Sequence, residues 1–253
     1  MPAFLALMYH ALDEAASDYA LPWATWQAHL ERLAGEGWVV EGFAGLEWRL
    51  SAGPWPERYL VMTFDDGHRS FLRAAEELNR RGMQASFFLT RQACEARPDF
   101  LKTPDIRALA DLAEIGAHGL SHQPLTWLDR EAAQRELSES RRWLEDLIGR
   151  PVRHMTAPGG YWNRRCQHLA REVGYTLVGT SVQWWNLPAG VAASRQVRRV
   201  ALRRSFSPQV FARVLRRDPL FFVGRRLRAG LLTLPNALRG WWEVRRGGLR
   251  QGR

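Results

Sequence analysis

Tyr59-Leu60-Val61-Met62-Thr63-Phe64-Asp65-Asp66-Gly67 joins a buried strand to a pair of carboxylates. The apolar or β-branched run from Tyr59 to Phe64 suits a strand covered on both faces, the habit of parallel strands. Two adjacent acids then stand at its end, where a glycine turns the chain. Their mutual repulsion is relieved when a cation binds one and leaves the other as a base. Alone, an Asp-Asp-Gly could merely cap a helix starting near His68. The metal interpretation gains weight from Ile115-Gly116-Ala117-His118-Gly119-Leu120-Ser121-His122, in which His118 and His122 lie four residues apart. Two neutral imidazoles and one carboxylate form an open site for Zn2+ or a similar ion.

Working outward, apolar runs recur at residues 3–9, 38–40, 85–90, 115–118, 152–157, 176–181 and 197–202. Helical spacing occupies 23–34, 71–81, 104–113, 129–148 and 164–173, and Gly35, Gly82, Gly149 and Gly174 stand at several of the helix ends. Alternating strands and helices imply a parallel sheet, and the count favours a distorted (β/α) barrel of about seven or eight strands. Ligands gather at the carboxyl ends of such strands, where Asp65, Asp66, His118 and the segment after Ala157 fall. Residues 1–204 are expected to form the catalytic domain and 205–253 an arginine-rich helical C-terminal extension.

The chain has 253 residues, 46% of them hydrophobic, enough for a sizeable core. Its net charge of +10 is unevenly distributed. From Arg195 onward, sixteen arginines face only Asp218 and Glu243, giving +14, and residues 1–194 carry −4. Such a tail suits an anionic partner, either an anionic membrane surface or, less in keeping with a body that lacks any nucleic-acid motif, nucleic acid. A solvated basic cover over the barrel is the plainer alternative. Cys94 and Cys166 are far apart and form no metal-binding spacing. With no signal-like leader, the expectation is a cytoplasmic protein, peripheral on the inner face of the membrane if the tail binds lipid.

Thr63-Phe64-Asp65-Asp66-Gly67 and the histidine pair resemble the first two motifs of the polysaccharide deacetylases, carbohydrate esterase family 4 with the NodB-homology domain. Tyr9-His10 and Ala157-Pro158-Gly159-Gly160-Tyr161 extend the resemblance over residues 5 to 202. It implies that Asp65 is the general base, and that Asp66, His118 and His122 hold one divalent ion, Zn2+ first and Co2+ or Ni2+ as alternatives. Pro158, Gly159, Gly160 and Tyr161 are expected to contact substrate, their loop offering a backbone N–H to the oxyanion. Trp184, Trp185 and Asn186 are expected to meet a sugar ring, although the two tryptophans are equally at home in a core.

There are three departures from the family pattern. Gly119 replaces the usual Ser or Thr after the first histidine. Thr156-Ala157-Pro158 lacks the family's arginine, and Val200-Ala201-Leu202-Arg203-Arg204 lacks the late histidine that serves as the acid. Either another acid has taken over or the enzyme is weakened. His10 is the leading substitute, while His154 sits within a strand whose facing the sequence leaves open. The resemblance implies removal of an N-acetyl group from an amino sugar of a polysaccharide or its lipid-linked precursor, as in exopolysaccharide biosynthesis. The alternatives are a sugar deformylase and a non-catalytic metal-containing sugar binder.

Overall fold

β3 (Tyr59–Phe64) is the strand from which the rest of the sheet is laid out. The computed structural model describes residues 2–15 and 17–225. Parallel to β3 run β1 (Leu5–Tyr9) on one side and, on the other, β2 (Val39–Glu41) along its first half and β4 (Ser86–Leu89) along its second. From β4 the sheet continues through β5 (Glu114–Ala117), β6 (His154–Thr156), β7 (Leu177–Thr180) and β8 (Gln196–Arg198). At the opposite edge, β9 (Val200–Ala201) pairs with β1. Because β8 and β9 are separated only by Arg199, one short segment reaches both edges, and the (β/α) barrel is nearly closed.

The intervening helices are α1 (Trp23–Gly35), α2 (Phe43–Ser51), α3 (Ser70–Arg80), α4 (Arg91–Ala96), α5 (Thr103–Leu112), α6 (Arg130–Ile148), α7 (Arg164–Val173) and α8 (Pro188–Ser194). The long helices match the expected spacing. The shorter α2, α4 and α8 offer too few turns for a periodicity signal. Gly82, Gly149 and Gly174 take the expected positive φ, but α1 runs through Gly35 and Gly37 adopts it instead.

Two compact units meet between Ser207 and Pro208. The second begins with α9 (Pro208–Leu215) and is helical again over 219–225. The rest of the helical extension expected over 205–253 lies, beyond residue 225, outside the described residues. No described helix is long and apolar enough to cross a membrane. Some of the charge assigned to the tail belongs to the barrel unit: Arg199 is buried inside it, Arg203 pairs with Asp18 at 2.6 Å, and Arg204 pairs with Glu14 at 2.9 Å.

Strand alternation sorts the interior from the exterior. Outward-facing Tyr9, Phe64 and Phe87 stack in sequence, with centroids 5.3 and 4.7 Å apart, and Phe64 also meets Trp26 of α1 and Phe71 of α3. Inward-facing Phe4, Ala6, Val61, Phe88, Leu177 and Val197 pack with Phe43 and Leu46 of α2 and Val191 of α8. The same alternation that turns Phe64 outward turns Thr63 and Asp65 inward.

The amino-terminal end of the barrel also carries charge. The Glu114 carboxylate accepts hydrogen bonds from Ser86 Oγ at 2.6 Å and from the Ala44 N–H in the first turn of α2 at 2.8 Å. His154 is held between Glu114, on its Nδ1, and Glu47 Oε2, 3.3 Å from its Nε2. His154 therefore faces this cluster and is not available to the catalytic end. Burial lowers the imidazole's proton affinity, but Glu114 and Glu47 more than reverse this, raising its pKa to about 9.

A histidine pKa raised in the folded state contributes stability that is complete below its unfolded value and disappears as pH rises through about 9. Unfolding free energy is expected to fall by on the order of 3 kcal/mol from this residue between about pH 6 and pH 9.5. His154→Gln should be less stable at pH 6 and should lack this component. Urea titrations of both proteins at the two pH values check it, and equal pH dependence would refute the assignment.

Candidate active site

At the carboxyl end of β3, the Asp65 N–H donates to Tyr9 O at 2.9 Å, which keeps Asp65 in strand-like register with its side chain inside the barrel. Its partner is Arg199, from the junction of β8 and β9. Arg199 Nη1 donates to Asp65 Oδ1 and Nη2 to Oδ2, both at 2.7 Å. Nη1 also reaches Thr63 Oγ1 at 3.1 Å, and Nε reaches Thr180 O at 3.3 Å. The guanidinium is wholly buried. Gly179 makes room for it, because a Cβ there would lie 2.7 Å from Arg199 Nε. Burial alone would raise the Asp65 pKa, but Arg199, followed by His118, holds it below the usual carboxylate range.

The segment before Pro158 lacks an arginine, and Arg199, from the junction that joins the two sheet edges, stands against Asp65 instead. In the sequence, Arg199 falls among the basic residues of the tail. The available signal was a basic residue within the apolar run 197–202, since a charge inside a buried strand requires a counter-charge.

Asp66 follows in a different conformation. Its φ is 86°, and Gly67 continues at 100°, so the chain reverses sharply at the strand end. His122 also has positive φ, at 64°. Non-glycine residues occupy this region at a cost of about 1 to 3 kcal/mol each, and such strain clusters at functional sites. It turns both side chains toward His118, which directly follows β5. One ligand atom from each of Asp66, His118 and His122 lies within 4.8 Å of the others. Asp66 Oδ1 is 3.4 Å from His118 Nε2 and 3.2 Å from His122 Nε2, yet this buried oxygen has no hydrogen-bond partner. Three converging donor atoms, one of them an otherwise unsatisfied carboxylate oxygen, fit a divalent cation.

Burial would raise the Asp66 pKa, but His118 and His122 hold it well below the ordinary range. The Asp66 carboxylate in turn raises that of His122. His118 Nδ1 lies 2.6 Å from Thr156 Oγ1 and 3.0 Å from Thr156 O. A proton on Nδ1 satisfies this contact and leaves Nε2 as the ligand atom. Thr156 Oγ1 also donates to Asp65 Oδ1 at 3.3 Å, linking Asp65 and His118 through one hydroxyl.

The loop between the histidines is secured by Glu136 of α6. Its Oε2 accepts from the N–H groups of Leu120, at 2.7 Å, and Ser121, at 3.1 Å, while Oε1 accepts from Ser121 Oγ at 2.5 Å. Within the same loop Gly119 has φ 78°, which suits glycine.

A cavity of about 440 Å3 opens over these groups. His10, Asp65, Asp66, His118 and His122 line it, as do Gly159 and Gly160. His10 Nδ1 is buried without a hydrogen-bond partner. Burial lowers the His10 pKa, opposed by the charges of Asp66 and Asp65. His68 also borders the cavity, its Nε2 lying 3.1 Å from Asp13 Oδ2. Pro158 and Tyr161 flank the two lining glycines without themselves lining the cavity. The Gly160 N–H donates to Ala157 O at 2.9 Å, which removes it from the oxyanion donors expected in that loop.

Asn186 requires correction. It is buried, its Nδ2 donates to Arg198 O at 2.8 Å, and its Oδ1 accepts from Arg198 N at 2.9 Å. Its backbone pairs with Phe4 at the start of the β1 region. Its amide is spent holding β8, not a sugar hydroxyl. Trp184 and Trp185 stack at 4.2 Å, half-buried and outside the cavity lining.

The fold and site define a β/α barrel with a candidate Asp-His-His metal centre beside a tethered carboxylate. The polysaccharide deacetylase family profile matches residues 52–178, just over half the chain, and the protein belongs to that family. Among solved structures, it is similar to IcaB from Ammonifex degensii, with TM-score 0.74, 20% identity, and coverage of 85% of this chain and 97% of that one. Similarity to the Streptococcus pyogenes deacetylase PplD, in complex with acetate, has TM-score 0.73 and 18% identity, covering 85% and 99% of the respective chains. The de-N-acetylase from Aggregatibacter actinomycetemcomitans gives TM-score 0.71 and 17% identity, covering 84% and 99%. At these identities the structural matches establish the shared fold. No curated protein sequence matches the chain.

Proposed function

We propose that this protein hydrolyses the N-acetyl group of an amino sugar in a polysaccharide or lipid-linked saccharide precursor, using one divalent ion, Zn2+ first among the candidates. The observation that carries the proposal is the convergence of Asp66, His118 and His122 beside a carboxylate that Arg199 holds on both oxygens. When bound, the ion supplies Lewis acidity, lowering the pKa of a water and drawing charge from the carbonyl oxygen. Asp66, His118 and His122 hold it, leaving Asp65 to accept the proton as water adds to the amide carbon. Arg199 fixes the direction of both Asp65 oxygens, and Thr156 fixes His118. When the C–N bond breaks, His10 in its protonated form delivers a proton to the leaving nitrogen, giving acetate and an amine.

Arg199 and His10 supply candidates for the two functions the sequence departures left open, which favours catalysis over the non-catalytic alternative. Incubating the protein with N-acetylated glucosamine oligomers and Zn2+, Co2+ or Ni2+ tests the proposal by product analysis. Acetate is expected, a chelator should abolish its release, and the added ion should restore it. Formate release from N-formyl substrates without acetate release would move the assignment to a deformylase. No product with any ion would refute hydrolysis.

A further inference from the structure

A single turn of 3-10 helix, Leu125–Trp127, follows the second metal-ligand histidine by three residues. It is firmly held: Leu125 is buried, the Trp127 N–H donates to Pro124 O at 2.9 Å, and Arg165 Nη2 donates to Leu125 O at 3.0 Å and Leu128 O at 2.7 Å. The backbone around Trp127 is thus pinned, yet its indole is 74% exposed. Core packing does not account for the side chain. Beside it lies Tyr161, 48% exposed, with ring centroids 5.7 Å apart and planes tilted by 41°. Scattered exposed apolar residues are ordinary, but two adjoining aromatic rings on a braced rim form a binding surface.

This surface lies against the wall of the cavity. Gly159 lines the cavity, and a Cβ at Gly159 would lie 3.2 Å from Tyr161 Cδ2 and 3.5 Å from Pro124 Cγ. One loop wall therefore separates the candidate metal centre on one side from the aromatic pair on the other. We propose that Trp127 and Tyr161 form an outlying subsite that stacks against a pyranose ring of an oligosaccharide chain, one or more residues away from the sugar being deacetylated. The inference rests on the deacetylase assignment and adds that the protein acts within a chain in preference to a free monosaccharide. The apolar face of a pyranose matches an aromatic face, and rigid rings lose little entropy on binding. A sugar held at such a distance presents its neighbour to the reacting groups, using remote binding energy for orientation.

The test compares N-acetylglucosamine with its β-linked pentasaccharide, measuring acetate release and, by calorimetry, pentasaccharide binding. Trp127→Ala should lower the ratio of kcat/KM for pentasaccharide to that for monosaccharide by about tenfold and weaken pentasaccharide binding similarly. Trp127→Phe should recover most of both. Trp48→Ala, at an exposed tryptophan on α2, should leave both measurements unchanged. Acetate release with an unchanged ratio in Trp127→Ala overturns the subsite while preserving the deacetylase assignment. Trp127-dependent pentasaccharide binding without acetate release preserves the subsite and overturns the assignment. Wild-type protein that neither binds nor hydrolyses the pentasaccharide overturns both. Trp127-dependent sedimentation with phosphatidylserine vesicles, without any oligosaccharide effect, reassigns the rim to lipid and overturns the subsite.

Discussion

Asp65→Asn is expected to reduce kcat for acetate release by about a thousandfold, the middle of the range that general acid–base groups contribute. An amide of nearly the same shape cannot accept the water's proton. Asp66, His118 and His122 are unchanged in this variant, so it should still bind one metal equivalent. Metal analysis of dialysed protein alongside initial rates therefore separates a lost base from a lost metal site. Retention of more than about a tenth of wild-type kcat would disqualify Asp65 as the base.

Arg199→Leu should be the most damaging change to stability near the site, costing about 3 to 5 kcal/mol by leaving the Asp65 carboxylate buried without its counter-charge. Arg199→Lys should recover only part, because an ammonium cannot match the two parallel contacts to Oδ1 and Oδ2. The double variant Asp65→Leu/Arg199→Leu distinguishes a charge effect from a packing effect. It should regain much of the stability lost in Arg199→Leu while remaining inactive. Chemical denaturation of wild type, Arg199→Leu, Asp65→Leu and the double variant gives the coupling directly. Additive losses would show that Arg199 and Asp65 do not act as a pair.

The difference between Arg199 and the three candidate metal-site residues shows what a linear pattern can convey. Asp65 and Asp66 follow an apolar strand, while His118 and His122 repeat at a fixed spacing, so local order announces a cluster. Arg199 meets Asp65 across 134 positions, and although a charge within an apolar run demands a counter-charge, nothing in the sequence says which acid supplies it. Its neighbour Arg198 points outward, and both were easily merged with the basic residues that follow. Glu136, within the helical stretch 129–148, braces the histidine loop, a contact that helical spacing alone does not mark. The barrel was more legible because buried parallel strands leave repeated apolar runs. The eighth run appeared as one strand, and only the geometry shows Arg199 dividing it into two pairings. Asn186 misled for the opposite reason: a polar residue beside two tryptophans resembles a sugar-binding group until its amide is found paired with Arg198.

The short segment that seals the sheet also makes the centre complete. A chain synthesised only as far as Arg195 already contains Asp65, Asp66 and both histidines, but it leaves a raw sheet edge and an acid without its tether. The next few residues off the ribosome supply both remedies together. Tethering of Asp65 and closure of the sheet are thus the same event, and an unfinished barrel leaves its carboxylate loose.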